Sequence, residues 1–452
     1  MKALSKLAQS VRASTTIEID TKYKRMKADG IDVIGFGMGE PDFNTPENVK
    51  QAGIRAIEHN LTRYTPAAGT LDVRNAVSYR LKEDWGLEYA TDEIVVTGGA
   101  KHMVYVVLKA LVNPGDEVIL PAPYWVTYYE AIKMVGGVPV ILETTAETGL
   151  KITPELLKEA ICPETKCIIL NNPSNPSGIM YTKEELEALA QVCVEGDIYI
   201  IADEIYDKLV FDGQTFTPIA TLGEEVKERT ILINGVSKTY AMTGWRIGYA
   251  CGRKDIMKVI SNYLSHCMSG TSSIAQAATI EALTGPQDSV EAMRKEFETR
   301  RDYMYARIEN IPGVSAIKSP ATFYMFMNID GLIGKKLYGV PVRDADDFAN
   351  LLLEKGLVAV VPGTGFGAPN YVRWSFAVSM ENIEKGMDRL EAFLDGAQAE
   401  EIAHFNDDLN MFQSEMAALE AFINAHRAEY EAELAAEEAA KAEADAKGGL
   451  LS

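Results

Sequence analysis

Long hydrophobic runs are missing from this 452-residue chain. No stretch approaches 18 consecutive apolar residues, so a membrane-spanning helix is not expected. The first residues, MKALSKLAQSVRAS, lack the apolar core of an export signal, which makes the cytoplasm the expected compartment. Cysteine is scarce: Cys162, Cys167, Cys193, Cys251 and Cys267 are odd in number and form no CxxC pair. They read as free thiols in a reducing compartment, with no disulfide framework and no metal assigned. Basic residues are in deficit too, 44 against 65 acidic ones, and the net charge of −21 excludes a surface built to displace counterions from nucleic-acid phosphates. Core-forming material is plentiful: a 47% hydrophobic content over this length suffices for two to three domains.

The most informative stretch is ILINGVSKTYAMTGWRIGYAC, residues 231–251. The apolar β-branched ILI before Lys238 and the IGYAC after it read as two strands, leaving Lys238, Thr243, Gly244 and Arg246 in the connecting loop. Most lysines are ordinary solvated ones, so Lys238 acquires a chemical reading only if other stretches concur.

They do so in order. Residues 1–35 are polar and helical in pattern. GFGMGEPDFNTP (35–46) gathers Gly37, Gly39, Pro41 and Asp42, so that backbone can approach a ligand with no Cβ in the way. RYTPAAG (63–69) carries Tyr64 ahead of a helix expected over 71–85. From residue 94 strands alternate with helices, the pattern of a mainly parallel sheet covered on both faces. IVVTGGAKH (94–102) is a strand, a glycine pair and a helix start, which leaves free N–H groups for an anion. Trp125 begins the next helix. CIILNNPSNPSG (167–178) leaves a strand for a loop holding Asn175, whose two prolines favour an extended path. IYIIADEIYD (198–207) reads as a buried strand ending at Asp203, Glu204 and Tyr206. Open α/β sheets bind ligands at strand C-terminal ends, so Asn175, Asp203, Tyr206 and Lys238 can converge there.

An amine for an imine, a carboxylate for a pyridinium nitrogen, an aromatic face and a phosphate cradle with an arginine together describe pyridoxal 5′-phosphate. Asp203 would keep the ring nitrogen protonated, Tyr206 and Asn175 would hydrogen-bond the 3-oxygen, and Trp125 would stack on the ring. Gly99, Ala100, Ser237 and Arg246 would hold the phosphate. Any one of these has an ordinary structural explanation, such as a helix cap or a core aromatic. Their ordered concurrence does not.

SKTYAMTGWRIGYA, NNPSNPSG, ADEIY, GMGEPDF and YVRWSFA together resemble the class I aminotransferases of pyridoxal-phosphate fold type I, over residues 1 to about 395. The similarity is greatest to the bacterial subgroup of aspartate and prephenate aminotransferases. It implies an α/β fold, with a large domain built on a mainly parallel sheet between helices and a smaller α+β domain drawn from both termini. The expected divisions are an N-terminal arm with part of the small domain (1–45), the large cofactor domain (46–309), the small domain (310–395) closed by a helix over 381–395, and an acidic helical extension (396–452). The resemblance further implies a homodimer with shared active sites and amino acids and 2-oxo acids as substrates; charge and the lack of long apolar runs argue against a nucleic-acid or membrane partner. By motif, Lys238 is the lysine that holds the cofactor and shuttles the proton. Arg373 clamps the substrate α-carboxylate with Gly39 and Asn175, a task suited to a planar bidentate fork. Tyr64 reaches the phosphate of the neighbouring subunit.

Lys101 matches a position that recognises a distal carboxylate, which favours aspartate with 2-oxoglutarate as acceptor. Arg12 matches one associated with prephenate, leaving prephenate or dual use open. His102 and Trp374 depart from the expected Gln and Leu, and Trp374, beside the clamp, is a candidate for reshaping the pocket toward neutral or aromatic amino acids. A carbon–sulfur β-lyase would share Lys238, Asp203 and Arg373 but have no use for Lys101. A non-enzymatic regulator would need an appended DNA-binding segment, whereas the appended segment here is acidic.

That segment, residues 396–452, holds thirteen acidic and three basic residues and so contributes −10 of the net charge. Ile402, Phe405, Leu409, Phe412, Met416, Leu419 and Ile423 recur there at alternating spacings of three and four, the rhythm of a helix packing on another helix. Docking on its own body, a helical partner and an intersubunit contact are all compatible with that pattern. From Glu431 an Ala/Glu-rich run reads as a solvated helix.

Overall fold

The computed structural model describes residues 2–11 and 15–448; for residues 15–18, 401, 402, 404, 405, 425, 428 and 444–448 the description is of backbone alone. Arg12 and Gly449 lie outside the described residues. The chain divides into two compact units, Met1–Lys335 with Pro341–Phe393, and Lys336–Val340 with Leu394–Ser452.

In the first unit, helix α1 (Thr15–Ala28) is followed by a short strand, Ile34–Gly35, paired in parallel with Val358–Ala359. Helix α2 (Leu71–Trp85) starts where expected because Thr70 accepts a hydrogen bond from Val73 N (3.3 Å), and ends at Gly86, whose φ of +66° suits a residue without a Cβ.

Seven strands then build the main sheet: β1 (Ile94–Thr97), β2 (Glu117–Pro121), β3 (Val138–Leu142), β4 (Thr165–Asn171), β5 (Tyr199–Asp203), β6 (Thr230–Gly235) and β7 (Gly248–Cys251). Their spatial order is β1-β7-β6-β5-β4-β2-β3. All neighbours are parallel except β7, which runs against both β6 and β1. Successive residues face opposite ways, so Cys167 and Ile169 of β4 join Ile201 and Ile231 in one core while Ile168 and Leu170 join Ile200 and Ala202 in another. A sheet buried on both faces accounts for the nearly continuous apolar runs in these strands. Helices α3 (Ala100–Leu111) and α4 (Val126–Val135) follow β1 and β2.

A four-stranded sheet supplies the other wall: β8 (Ser315–Ala316), β9 (Tyr324–Asn328), β10 (Val361–Pro362) and β11 (Tyr371–Ser375), in the order β10-β11-β9-β8. Antiparallel pairing sets Phe326 opposite Arg373 and Tyr324 opposite Ser375.

Two expectations need correction. The loop after β4 does not run extended: Gly178 N donates to Ser174 O and Ser174 N to Ile179 O (both 2.9 Å), and the peptide bonds before Pro173 and Pro176 are cis. Side-chain acceptors fold it, since Asn171 Oδ1 takes the Asn175 N–H (2.7 Å) and Asn172 Oδ1 the Tyr181 N–H (2.9 Å). The helix expected over 381–395 does not stop there either. Helix α5 runs from Met380 to Gly448 without a break, because its Ala, Glu and Leu content sustains helix and no proline interrupts it. No helix among the described residues is long and apolar enough to cross a membrane.

Gly178 is the tightest point of the folded loop. Its φ is +70°, and an added Cβ would lie 2.6 Å from Ser319 Oγ and 2.8 Å from Tyr324 O. Gly178→Ala is expected to destabilise the protein by about 2–4 kcal/mol in urea unfolding, combining strain and clash; an unchanged midpoint would contradict this packing.

Candidate active site

Four strands deliver their ends to one edge of the main sheet. Thr97, Asn171, Asp203 and Gly235 close β1, β4, β5 and β6 there, and β7 re-enters at Gly248, paired with both Gly235 and Thr97. Gly248 is required at this position, because a Cβ on it would strike the backbone of Gly99 and Ala100 at the start of α3. Above this edge opens a cavity of about 510 Å³ lined by Gly39, Ala100, Lys101, Trp125, Asn175, Asp203, Tyr206, Ser237, Lys238, Arg246 and Arg373, residues drawn from sequence stretches more than 300 positions apart.

Lys238, three residues past the end of β6, donates from Nζ to the Gly39 carbonyl. Burial, together with Arg373 and Arg246, lowers its pKa to about 8, against the opposing pull of Glu40 and Asp203. An appreciable fraction of the amine is therefore neutral near physiological pH and able to attack a carbonyl. Asp203 is 3% exposed, and burial raises its pKa to about 6. Two donors keep the carboxylate from rising further: Tyr128 Oη at 2.6 Å from Oδ2 and Ile205 N at 3.3 Å from Oδ1.

The opposite wall holds Arg373. Its Nη1 donates to Asn175 Oδ1 (2.9 Å), its Nη2 to Gly37 O (3.0 Å), and its guanidinium carbon lies 4.3 Å from the centre of the Tyr324 ring. Tyr324 Oη is in turn 3.2 Å from Tyr206 Oη. At the N-terminal end of α3, Arg246 donates to Thr243 O (2.8 Å) and packs against Gly99, where a Cβ would collide with its guanidinium. Gly99, the N-cap residue of α3, thus leaves room for an arginine beside free helix N–H groups, a cradle suited to a phosphate. Lys101 lies 4.9 Å over the Trp125 ring, its pKa lowered by burial and by Arg246.

Two of the sequence-derived residues stand apart. Tyr64 is 97% exposed and does not line the cavity, and Arg12 lies outside the described residues. His102 faces Thr97 Oγ1 (2.9 Å). Trp374 does not reshape the cavity. Alternation along β11 turns it away from Arg373's side, into a fully buried contact with Phe36 at 4.8 Å between ring centres.

Sequence reasoning missed Tyr128, Asn171, Glu40, Tyr324, Asp20 and Lys24, all of which line the cavity. Tyr128 was within reach: it follows Trp125 by three residues, one helical turn on the same face. Asn171 was legible as the last residue of a strand beside Asp203. Tyr324 was not, because its place depends on pairing between β9 and β11. Asp20 and Lys24, an ion pair at 2.6 Å on α1, depend on where α1 packs.

The donor set suits a flat heteroaromatic ring bearing an aldehyde and a phosphate. Lys238 would meet the aldehyde, Asp203 a ring nitrogen, Tyr206 and Asn175 a ring oxygen, and Ala100, Ser237 and Arg246 the phosphate.

The chain is similar to aminotransferases over most of its length. The family model described as aminotransferase class I and II matches residues 31–390. An aspartate aminotransferase of Bacillus sp. (strain YM-2) is 46% identical over 391 residues, which is 86% of this chain and 99% of that protein. An aspartate/prephenate aminotransferase of Cereibacter sphaeroides is 42% identical, over 88% of this chain and all of that protein (100%). The structure of Thermus thermophilus aspartate aminotransferase with maleate superposes with a TM-score of 0.82 at 38% identity, covering 87% of this chain and 100% of that one.

Tyr128→Phe removes a charge-assisted hydrogen bond from Asp203, so its carboxylate should protonate at higher pH and hold a pyridinium less well. Affinity for pyridoxal phosphate, measured by equilibrium dialysis at pH 7.5, is expected to fall about tenfold or more; an unchanged affinity would contradict the role assigned to the Tyr128 hydroxyl.

Proposed function

The chain belongs to the aminotransferase class I and II family, and we propose from that premise that it transfers the amino group of aspartate to 2-oxoglutarate with pyridoxal phosphate as cofactor. Bound at the sheet edge, the cofactor supplies the electron sink that makes the substrate Cα proton acidic. The chain's own residues do the rest.

Lys238 holds the cofactor at rest and, once freed, carries the proton from Cα; a pKa of about 8 suits both tasks. Asp203 faces the ring nitrogen and stabilises its protonated form. Tyr206 and Asn175 orient the 3-oxygen, and Trp125 covers the ring. Gly99, Ala100, Ser237 and Arg246 receive the phosphate.

The observation that carries the choice of substrate is that, of the five cations on the cavity lining, Lys238 and Arg246 are assigned to the cofactor and Lys24 pairs with Asp20, which leaves Arg373 and Lys101. One carboxylate needs one of them. A dicarboxylate uses both, with Arg373, Asn175 and Gly39 taking the α-carboxylate and Lys101 the distal one. Maleate, which accompanies the Thermus aspartate aminotransferase in its structure, is a dicarboxylate and agrees with such a pair. The Cereibacter relative supports prephenate as a second acceptor, with Arg12 as the residue to examine.

We also assign the chain a homodimeric state with shared sites, in which Tyr64, almost wholly exposed in the single chain, reaches the partner's phosphate. The division into a large cofactor domain (46–309) and a small domain (1–45 and 310–395) follows the same reading, as does a cytoplasmic location.

Two variants test this function. Lys238→Ala should abolish transamination along with the pH-sensitive visible absorbance of the bound cofactor, and full steady-state activity would overturn the assignment. Lys101→Ala should lower kcat/KM for aspartate and 2-oxoglutarate about 10- to 100-fold and leave neutral amino donors nearly unchanged. Equal losses in both classes would remove Lys101 from specificity.

A further inference from the structure

Helix α5 carries a pattern that transamination does not use. Leu409, Phe412, Met416, Leu419 and Ile423 are 41–59% exposed and recur at spacings of three and four. The family match ends at residue 390, so this stripe lies wholly beyond it. A period of 3.5 residues is the seam of a two-stranded coil, with Leu409, Met416 and Ile423 at a positions and Phe412, Leu419 and His426 at d positions. A contiguous exposed array of large apolar residues marks an interaction surface.

We propose that the occupant of this seam is the same segment of a second copy of the chain, running antiparallel. The flanking charges decide between arrangements. In a parallel, in-register pair, Glu415 of each copy would face Glu420 of the other across the seam, and Glu433, at a d position, would face its own counterpart. Both contacts set like charges together.

An antiparallel pair centred between Met416 and Leu419 removes them. Met416 then meets Leu419, Phe412 meets Ile423 and Leu409 meets His426, and twofold symmetry repeats each layer. Along one flank the Gln413 amide can donate to the Glu420 carboxylate, and Asn406 lies opposite Arg427. Along the other, Glu415 lies opposite Phe422. One like-charged pair remains, Asp408 with Glu429, at the outer ends. The acidic segment is thus self-complementary in one direction and not in the other.

Cross-linking of the full-length protein tests both the partner and its direction, in a background where the exposed native cysteine is changed, Cys267→Ser. The pair Gln413→Cys with Glu420→Cys places thiols opposite each other only in the antiparallel arrangement, and Glu415→Cys with Glu420→Cys only in the parallel one. With a short bis-maleimide at micromolar protein, the first variant is expected to give a covalent dimer on denaturing gels and the second to stay monomeric. Adding Met416→Lys and Leu419→Lys to the first variant should abolish its dimer while leaving aspartate transamination unchanged. Cross-linking of the second variant would overturn the antiparallel direction. Failure of both would overturn self-pairing, leaving the seam to a different helix.

Discussion

The amine of Lys238 lies among charges that pull in opposite directions, and the site depends on how that conflict resolves. Burial disfavours the ammonium form, Arg373 and Arg246 disfavour it further, and Glu40 and Asp203 favour it. The outcome, a pKa of about 8 in place of 10.5, leaves the group basic enough to take a proton and neutral often enough to attack a carbonyl. This balance requires all four charged partners at the same edge of the sheet. Parallel β5 and β6 bring Asp203 and Lys238 side by side, while Arg246 comes from the loop before β7, Glu40 from the 35–46 segment and Arg373 from β11.

The second fixed point is Arg373. Its guanidinium is held by Asn175, Gly37 and the Tyr324 ring, which preorganises it for the carboxylate proposed to bind there. The contact from Tyr324 to Tyr206 connects this clamp to the side chain assigned to the cofactor's 3-oxygen. Rigid elements carry both groups, Arg373 on β11 and Tyr324 on β9, and the register between those strands sets their spacing. The folding of the 172–178 loop matters for the same reason, because it brings Asn175 to the arginine.

The sequence made legible what local pattern encodes. Apolar strands punctuated by glycine and proline announced the α/β sheet, and the strand ends announced Asn175, Asp203 and Lys238, which do meet in one cavity. Helix α2 was bounded correctly by its threonine cap and terminal glycine. What escaped depends on distance along the chain. Tyr324 and the orientation of Trp374 follow from antiparallel pairing and strand alternation in a sheet assembled from residues 315–375, and the closeness of Asp20 and Lys24 follows from helix packing. Residue identity also misled once: two prolines suggested an extended loop where asparagine side chains instead fold it on itself. The a/d stripe of the last helix was visible as a rhythm, and the structure adds that Leu409, Phe412, Met416, Leu419 and Ile423 are exposed among the described residues.

The central claim, that the protein prepares Lys238 as an amine easily stripped of its proton, is open to direct measurement. The rate at which the cofactor-free protein takes up pyridoxal phosphate, followed by its visible absorbance in stopped flow, should rise with pH as that amine loses its proton. The account predicts a midpoint at about pH 8. A midpoint near 10.5, the ordinary lysine value, would contradict it.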